Sequence, residues 1–229
     1  QILSNGTLID AAVAARLAAH RLRYVQISLA GADRRAHEAH AGEGSFEPTL
    51  RGIGALQEHG IRVVGCTVVT RQNGSSVGAI LGLWQRLGVD HVALSRFSPA
   101  GYALEQAALL LPALADLEQA FEQATVHAKA HGTRIRCTMP VPPCMLETAG
   151  YAPLAFGHCA IATSLHEVAL GPDGKLRNCT LHRGAIGGVS DILDEGVDIA
   201  ALLDHGDVGD YQQALPAFCE GCLHASSCG

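Results

Sequence analysis

The chain is short of nearly everything that would tie it to a membrane, a nucleic acid or an oxidising compartment. No apolar run reaches the ~20 residues that a bilayer-spanning helix needs, and no secretory signal opens the chain. Positive charge is in deficit. The 16 Lys and Arg set against 22 Asp and Glu give a formal charge of −6, which argues against a phosphate-neutralising surface, because that surface needs clustered basic residues. Aromatic residues make up 4%, so the core must be built from Ala, Leu, Val and Gly, a composition that suits helices buried on a parallel sheet. There is no Ser-His-Asp set, no Walker loop and no dinucleotide-binding glycine motif in the right setting. The expectation is a soluble cytoplasmic protein with reduced cysteines and with neither nucleic acid nor membrane as a partner. Two features of the ends predict a segment of a longer protein. Gln1-Ile2-Leu3-Ser4 reads as a strand already in progress, and Gly229 interrupts a cluster of cysteines.

The first two-thirds alternates strand-like and helical patterns, as a parallel sheet requires. Ile2-Leu3-Ser4 runs into an Asn5-Gly6 turn, and Asp10 is placed to cap a helix through Leu22. Strands follow at Tyr24 to Ala30, Ile61 to Thr70, Asp90 to Arg96 and Thr133 to Met139. Helices are predicted from Phe46 to His59, from Val77 to Leu87, and from Pro112 to His131, each stopped by a glycine. Five such strands wind into an open sheet or part of a barrel, and the C-terminal strand ends carry the chemistry in either case. Those ends hold Asn5, Ser28, Thr70 with Asn73, and Ser98. As a set they make a candidate ligand site, although each alone is an ordinary turn residue.

After Tyr151 the pattern changes. Residues 165–170 and 175–179, joined by Gly171-Pro172-Asp173-Gly174, read as a β-hairpin, with Asp173 as a turn residue. A glycine-rich loop from Gly184 to Gly188 and a short helix around Ile199 to Leu203 follow. The domains are therefore expected to be 1–150 and 151–229. Five of the eight cysteines lie in this last part, spaced Cys159-x14-Gly174-x4-Cys179 and then Cys219-x2-Cys222-x5-Cys228. A C-x2-C turn lets two thiolates converge on one metal, and a third can close over it. A disulfide pair or buried apolar thiols are the alternatives. Zinc and iron–sulfur remain equally open on softness alone. Cys66 and Cys137 lie mid-strand, where apolar packing is expected. His166, His182 and His224 are read as solvent-facing or as neighbours of the ligands, and Glu118, Glu122 and Lys129 as a solvated helix face.

These stretches together resemble one family. The end is similar to the SPASM domain of radical S-adenosylmethionine (radical SAM) enzymes, and Cys159, Gly174, Cys179, Cys219, Cys222 and Cys228 fit its spacing. The front resembles the radical SAM barrel. Residues 3–8 resemble its "TNG" segment, and residues 25–31 its "SLDG" strand, continued by Gly42 and 44–47. Residues 67–73 and 96–101 resemble the next two strand ends. The fold this implies is a partial (β/α) barrel of parallel strands followed by a small cysteine-rich domain with a β-hairpin. The departures are specific. No C-x3-C-x2-C and no "GGE" segment is present, Ala30 replaces the usual Asp, and Ala41 stands where many members have an arginine. The resemblance thus implies a fragment without its first two βα units and its last SPASM cysteines.

It also implies the chemistry of an oxidoreductase that generates a 5′-deoxyadenosyl radical to modify a peptide or protein. Ser28 would hydrogen-bond S-adenosylmethionine, with Asn5 and Ser98 lining its pocket. Cys159 and Cys179 would hold one auxiliary [4Fe–4S] cluster, with Cys144 a candidate upstream ligand, and Cys219, Cys222 and Cys228 another. A flavodoxin or ferredoxin would supply electrons. The chain alone would be inactive, because the ligands of the cluster that binds S-adenosylmethionine are absent. The rival readings are a zinc-stabilised binding module and a degenerate peptide-binding homologue.

Overall fold

The computed structural model describes residues 1–138, 140–157, 169–177, 179, 184–193 and 217–223. Six parallel strands form one sheet in sequence order: β1 (Ile2–Ser4), β2 (Val25–Ser28), β3 (Val63–Val69), β4 (His91–Arg96), β5 (Arg134–Cys137) and β6 (Ala155–Phe156). Between them run α1 (Ala11–Ala18), α2 (Arg34–Ala41), α3 (Phe46–Glu58), α4 (Val77–Arg86), α5 (Ala107–Leu110) and α6 (Leu114–His131). No helix among the described residues is long and apolar enough to cross a membrane.

Local sequence chemistry explains most of the boundaries. Asp10 Oδ1 accepts the Val13 amide at 2.8 Å and caps α1, but the helix stops at Ala18 rather than Leu22, where the chain leaves through a His20-to-Leu17 turn. Pro112 precedes the long helix instead of entering it. It holds Leu111 extended, and the helix begins at Leu114 after the Ala113 amide donates to Asp116 Oδ2 at 2.7 Å. The sequence pattern predicts no helix over α2, which buries only His37.

Two compact units divide the chain. One is Gln1–Val141 with Met145–Gly157, and the other is Pro142–Cys144 with His158–Gly229. In the first, strand alternation separates two faces. Val25 and Ile27, Val63 and Val69, Val92 and Leu94, and Ile135 are buried with Ile53, Leu56, Ile80, Leu81, Trp84 and Phe121 of the helices. The opposite face carries Leu3, Gln26, Ser28, Val68, Arg134 and Arg136, and Leu3 is 65% exposed there. The second unit holds a three-stranded antiparallel sheet of β7 (Ala169–Leu170), β8 (Lys175–Arg177) and β9 (Gly187–Gly188), followed by α7 (Val189–Leu193). The predicted glycine-rich loop therefore supplies a strand. The predicted helix near residues 199–203 lies outside the described residues.

Trp84 is the anchor of the first unit and is wholly buried. Its indole lies over Gly65, where a Cβ would stand 2.7 Å from Cε2. Its Nε1–H donates to Thr67 Oγ1 at 3.2 Å, and that hydroxyl donates to the Leu29 carbonyl at 3.0 Å. Gly65→Ala is therefore expected to overpack the core and lower stability by ~1–3 kcal/mol in urea denaturation. Gly54→Ala, whose Cβ meets nothing within 4 Å, should be neutral to stabilising by up to about 1 kcal/mol.

His37 of α2 is 2% exposed and packs on the Phe46 ring. Its Nδ1 accepts the Ala30 amide at 3.3 Å, so the neutral ring carries its proton on Nε2, which is buried without a partner among the described residues. Burial lowers its pKa below the ordinary 6.5; Glu38 opposes that shift and His40 adds to it. The unfolded chain thus takes up the proton more readily, and stability present above pH 6.5 should be lost as pH falls below it. Urea midpoints measured against pH should show this decline, and His37→Asn should flatten it whatever its effect on absolute stability; parallel curves would remove the role.

Candidate functional site

The C-terminal strand ends of the first unit converge on a set of polar side chains with unequal freedom. Asn5 follows β1. Its carbonyl accepts the Thr49 hydroxyl at 2.8 Å, and its Oδ1 accepts the Thr7 amide at 3.2 Å and hydroxyl at 2.9 Å. The turn therefore consumes its side-chain oxygen and leaves the amide nitrogen for a ligand. Asn73 is consumed altogether. Its Nδ2 donates to the carbonyls of Ala30 (3.1 Å) and Val68 (2.9 Å), while its Oδ1 accepts the Thr70 amide at 2.8 Å. Thr70 Oγ1 in turn meets His40 Nε2 at 3.1 Å. Thr70 and Asn73 thus stitch the end of β3 to the segment after β2. Ser98 lies two residues beyond β4 and is half-exposed.

Ser28 is the last residue of β2 and is exposed. The register aligns it with Cys66 on β3, Ala93 on β4, Arg136 on β5 and Ala155 on β6. One row on the face opposite the apolar core therefore carries a hydroxyl, a thiol and a guanidinium. Cys66 is the buried thiol of this row, and burial raises its pKa, while hydrogen bonds with the side chains of Ser28 and Gln26 pull it part of the way back. Cys137 faces the core, where burial pushes its thiol up to about 12. Both are neutral thiols at physiological pH, unsuited to metal ligation. Nothing in the strand-end pattern singles out Arg136; the only hint in the sequence is the charged–apolar alternation of Arg134-Ile135-Arg136-Cys137.

In the second unit, Cys219 and Cys222 bracket a turn in which the Cys222 amide donates to the Cys219 carbonyl at 3.0 Å. Gly221 holds φ +72° at its third position, which the type II geometry reserves for glycine. Both cysteines are half-buried, as is Cys179 just past β8. Cys144 is exposed and belongs to the same unit. Cys159 and Cys228 lie outside the described residues, as do His166, His182 and His224. Among the described residues no three His, Cys, Asp or Glu side chains come together as a metal-binding group. The donor set nonetheless fits a thiophilic metal or cluster in kind, since the C-x2-C turn is formed and thiols dominate. Asp173 takes no part in it. The Arg177 guanidinium, 2.6 Å away, holds its carboxyl well below the usual carboxylate range, and its Oδ1 accepts the Lys175 amide, as a turn residue's would.

Residues 1–83 match the family model for the radical SAM superfamily. The chain is 38% identical over 100 residues to an AdoMet-dependent heme synthase of Nitratidesulfovibrio vulgaris, covering 43% of this chain and 27% of that protein. It is 36% identical over 99 residues to the mycofactocin maturase MftC of Mycolicibacterium smegmatis, covering 43% and 25%. The fold is that of anSMEcpe, solved with bound AdoMet and a Cp18Cys peptide (TM-score 0.69, 14% identity, 99% of this chain and 63% of that one). It is also that of Streptococcus suis SuiB bound to S-adenosylmethionine (TM-score 0.70, 14% identity, 98% and 53%). The chain spans about a quarter of the length of these curated relatives. Residues 1–83 thus match the radical SAM superfamily, on a parallel sheet of the same fold as these two structures.

Proposed function

We propose that this chain is part of a radical SAM/SPASM oxidoreductase that modifies a peptide or protein, and that its second unit holds auxiliary [4Fe–4S] clusters. The carrying observation is that two features meet in one chain. The radical SAM match covers residues 1–83, and a separate compact unit gathers Cys144 with the cysteine-bearing segment from residue 158 onward. When bound, S-adenosylmethionine and a reduced cluster supply a 5′-deoxyadenosyl radical that abstracts a substrate hydrogen. The protein's part is placement. Ser28 offers its hydroxyl to S-adenosylmethionine at the end of β2, and the Asn5 amide nitrogen and Ser98 line the same end of the sheet. Thr49, Thr70 and Asn73 fix the loops that carry them.

Cys144, Cys159 and Cys179 would ligate one auxiliary cluster, and Cys219, Cys222 and Cys228 the other. The peptide substrate class draws support from SuiB, solved with its precursor peptide SuiA, and from anSMEcpe with its peptide. The heme synthase and MftC matches cover 100 and 99 residues and leave the substrate undecided. An external flavodoxin or ferredoxin would be the reductant.

Anaerobic reconstitution of the full chain with iron and sulfide is the test. The expected product is brown, with broad thiolate-to-iron absorption near about 400 nm and bound iron and sulfide in equal amounts. Cys219→Ala and Cys222→Ala should each abolish one cluster's share. Alkylation should be blocked at the ligand cysteines and unchanged at Cys66 and Cys137. A colourless protein that takes up zinc instead would overturn the reading.

A further inference from the structure

Four of the chain's other arginines spend their guanidinium on a partner among the described residues. Arg34 pairs with Glu47, Arg177 with Asp173, and Arg71 Nη1 donates to the Ala108 carbonyl. Arg134, two residues earlier on the same face of β5, lies 3.3 Å from His91 Nε2, and His91 Nδ1 lies 2.7 Å from Asp90 Oδ1. Arg136 has no partner among the described residues and is exposed. Its neighbours in register on β4 and β6 are Ala93 and Ala155, which end at Cβ and leave the guanidinium open on both flanks. It is the penultimate residue of its strand, level with Ser28, the last residue of β2. Three inter-strand steps separate the two, about 14 Å across the sheet.

We propose that Arg136 recognises a carboxylate of the substrate, holding it on the sheet face opposite the apolar core, in the same row as Ser28. A guanidinium presents two parallel N–H donors that match a carboxylate, a geometry that neither water nor a lone lysine reproduces. A substrate anchored there lies across the sheet from Ser28, with Cys66 and Ala93 between them. The inference rests on reading the strand ends as the site for S-adenosylmethionine and substrate, and it specifies the acidic character of what binds there.

The test is site-resolved phenylglyoxal modification of the full chain, read by mass spectrometry, with exposed Arg51 of α3 as the internal reference. The probes are glutarate, acetyl-Gly-Glu-Gly-amide and acetyl-Gly-Gln-Gly-amide at matched ionic strength. Saturating acidic probe should slow modification of Arg136 about tenfold, in keeping with a charge-assisted pair, and leave Arg51 unchanged. Arg136→Gln should weaken calorimetric binding of the protecting probe by a similar factor. Protection by the Glu peptide alone assigns the carboxylate to a peptide side chain; protection by glutarate, with or without the peptide, assigns it to a small free acid. Equal protection by the Gln peptide, equal protection of Arg51, or none at all overturns the proposal. The assay needs neither iron nor S-adenosylmethionine. Failed reconstitution therefore leaves it readable, and protected Arg136 without clusters would keep the anion site while removing the auxiliary clusters.

Discussion

The first unit depends on one contact, the seating of the Trp84 indole directly on the backbone of Gly65. β3 has neighbours on both sides, so whatever fixes its rotation fixes the sheet. With Gly65 and Thr67 turned to the helices, the two-residue period of the strand turns Cys66 and Val68 the other way. The hydrogen-bond chain from Trp84 through Thr67 to the Leu29 carbonyl carries that choice to the end of β2. A slip of one residue would put Thr67 on the open face and Cys66 under the indole. The row containing Ser28, Cys66 and Arg136 is thus a consequence of packing on the far side of the sheet. A site made of single residues on successive strands can have no more precision than the register that aligns them.

Much of this architecture was legible because its signals are local. Capping by Asp10, the valine-rich run of β3 and the glycine stop at Gly132 each act within a few residues, and the elements lie where they point. The misses have local causes too. α2 buries one side chain and is otherwise Arg, His, Glu and Ala, so no apolar stripe announces it; its position is set by the Asp33 cap and by His37 reaching the Ala30 amide. β9 consists of two glycines and exists only because β8 offers it a partner. Pro112 suggested a helix start by its fixed φ, yet the Asp116 side chain sets the cap at Ala113.

The candidate site was less legible, since polarity at a strand end does not reveal whether a side chain is spare. Asn73 and Asn5 look alike in sequence. One spends its whole amide on three backbone groups, and the other spends its oxygen alone. The reverse holds for Arg136. Its side chain gains meaning from being unspent and from its level in the sheet, and neither property exists before the strands are aligned.

The second unit poses the opposite problem, with little packing among its described residues. Its described strands are two or three residues long, and among the described residues Leu176 is its one buried hydrophobic side chain. Sheets this small are not stable alone in water, and a single leucine contributes at most ~2–3 kcal/mol by burial. The Asp173–Arg177 pair is a surface ion pair, too solvated to make up the difference. Thiolate ligation is far stronger: structural metal sites contribute ~10–16 kcal/mol, and only when the ligands are assembled. A segment with six cysteines, a preformed C-x2-C turn and so slight a core has the composition expected where ligation is itself the folding energy. On the proposed function the unit's order would be coupled to ligation, whereas the first unit's order rests on Trp84 and the apolar face of the sheet.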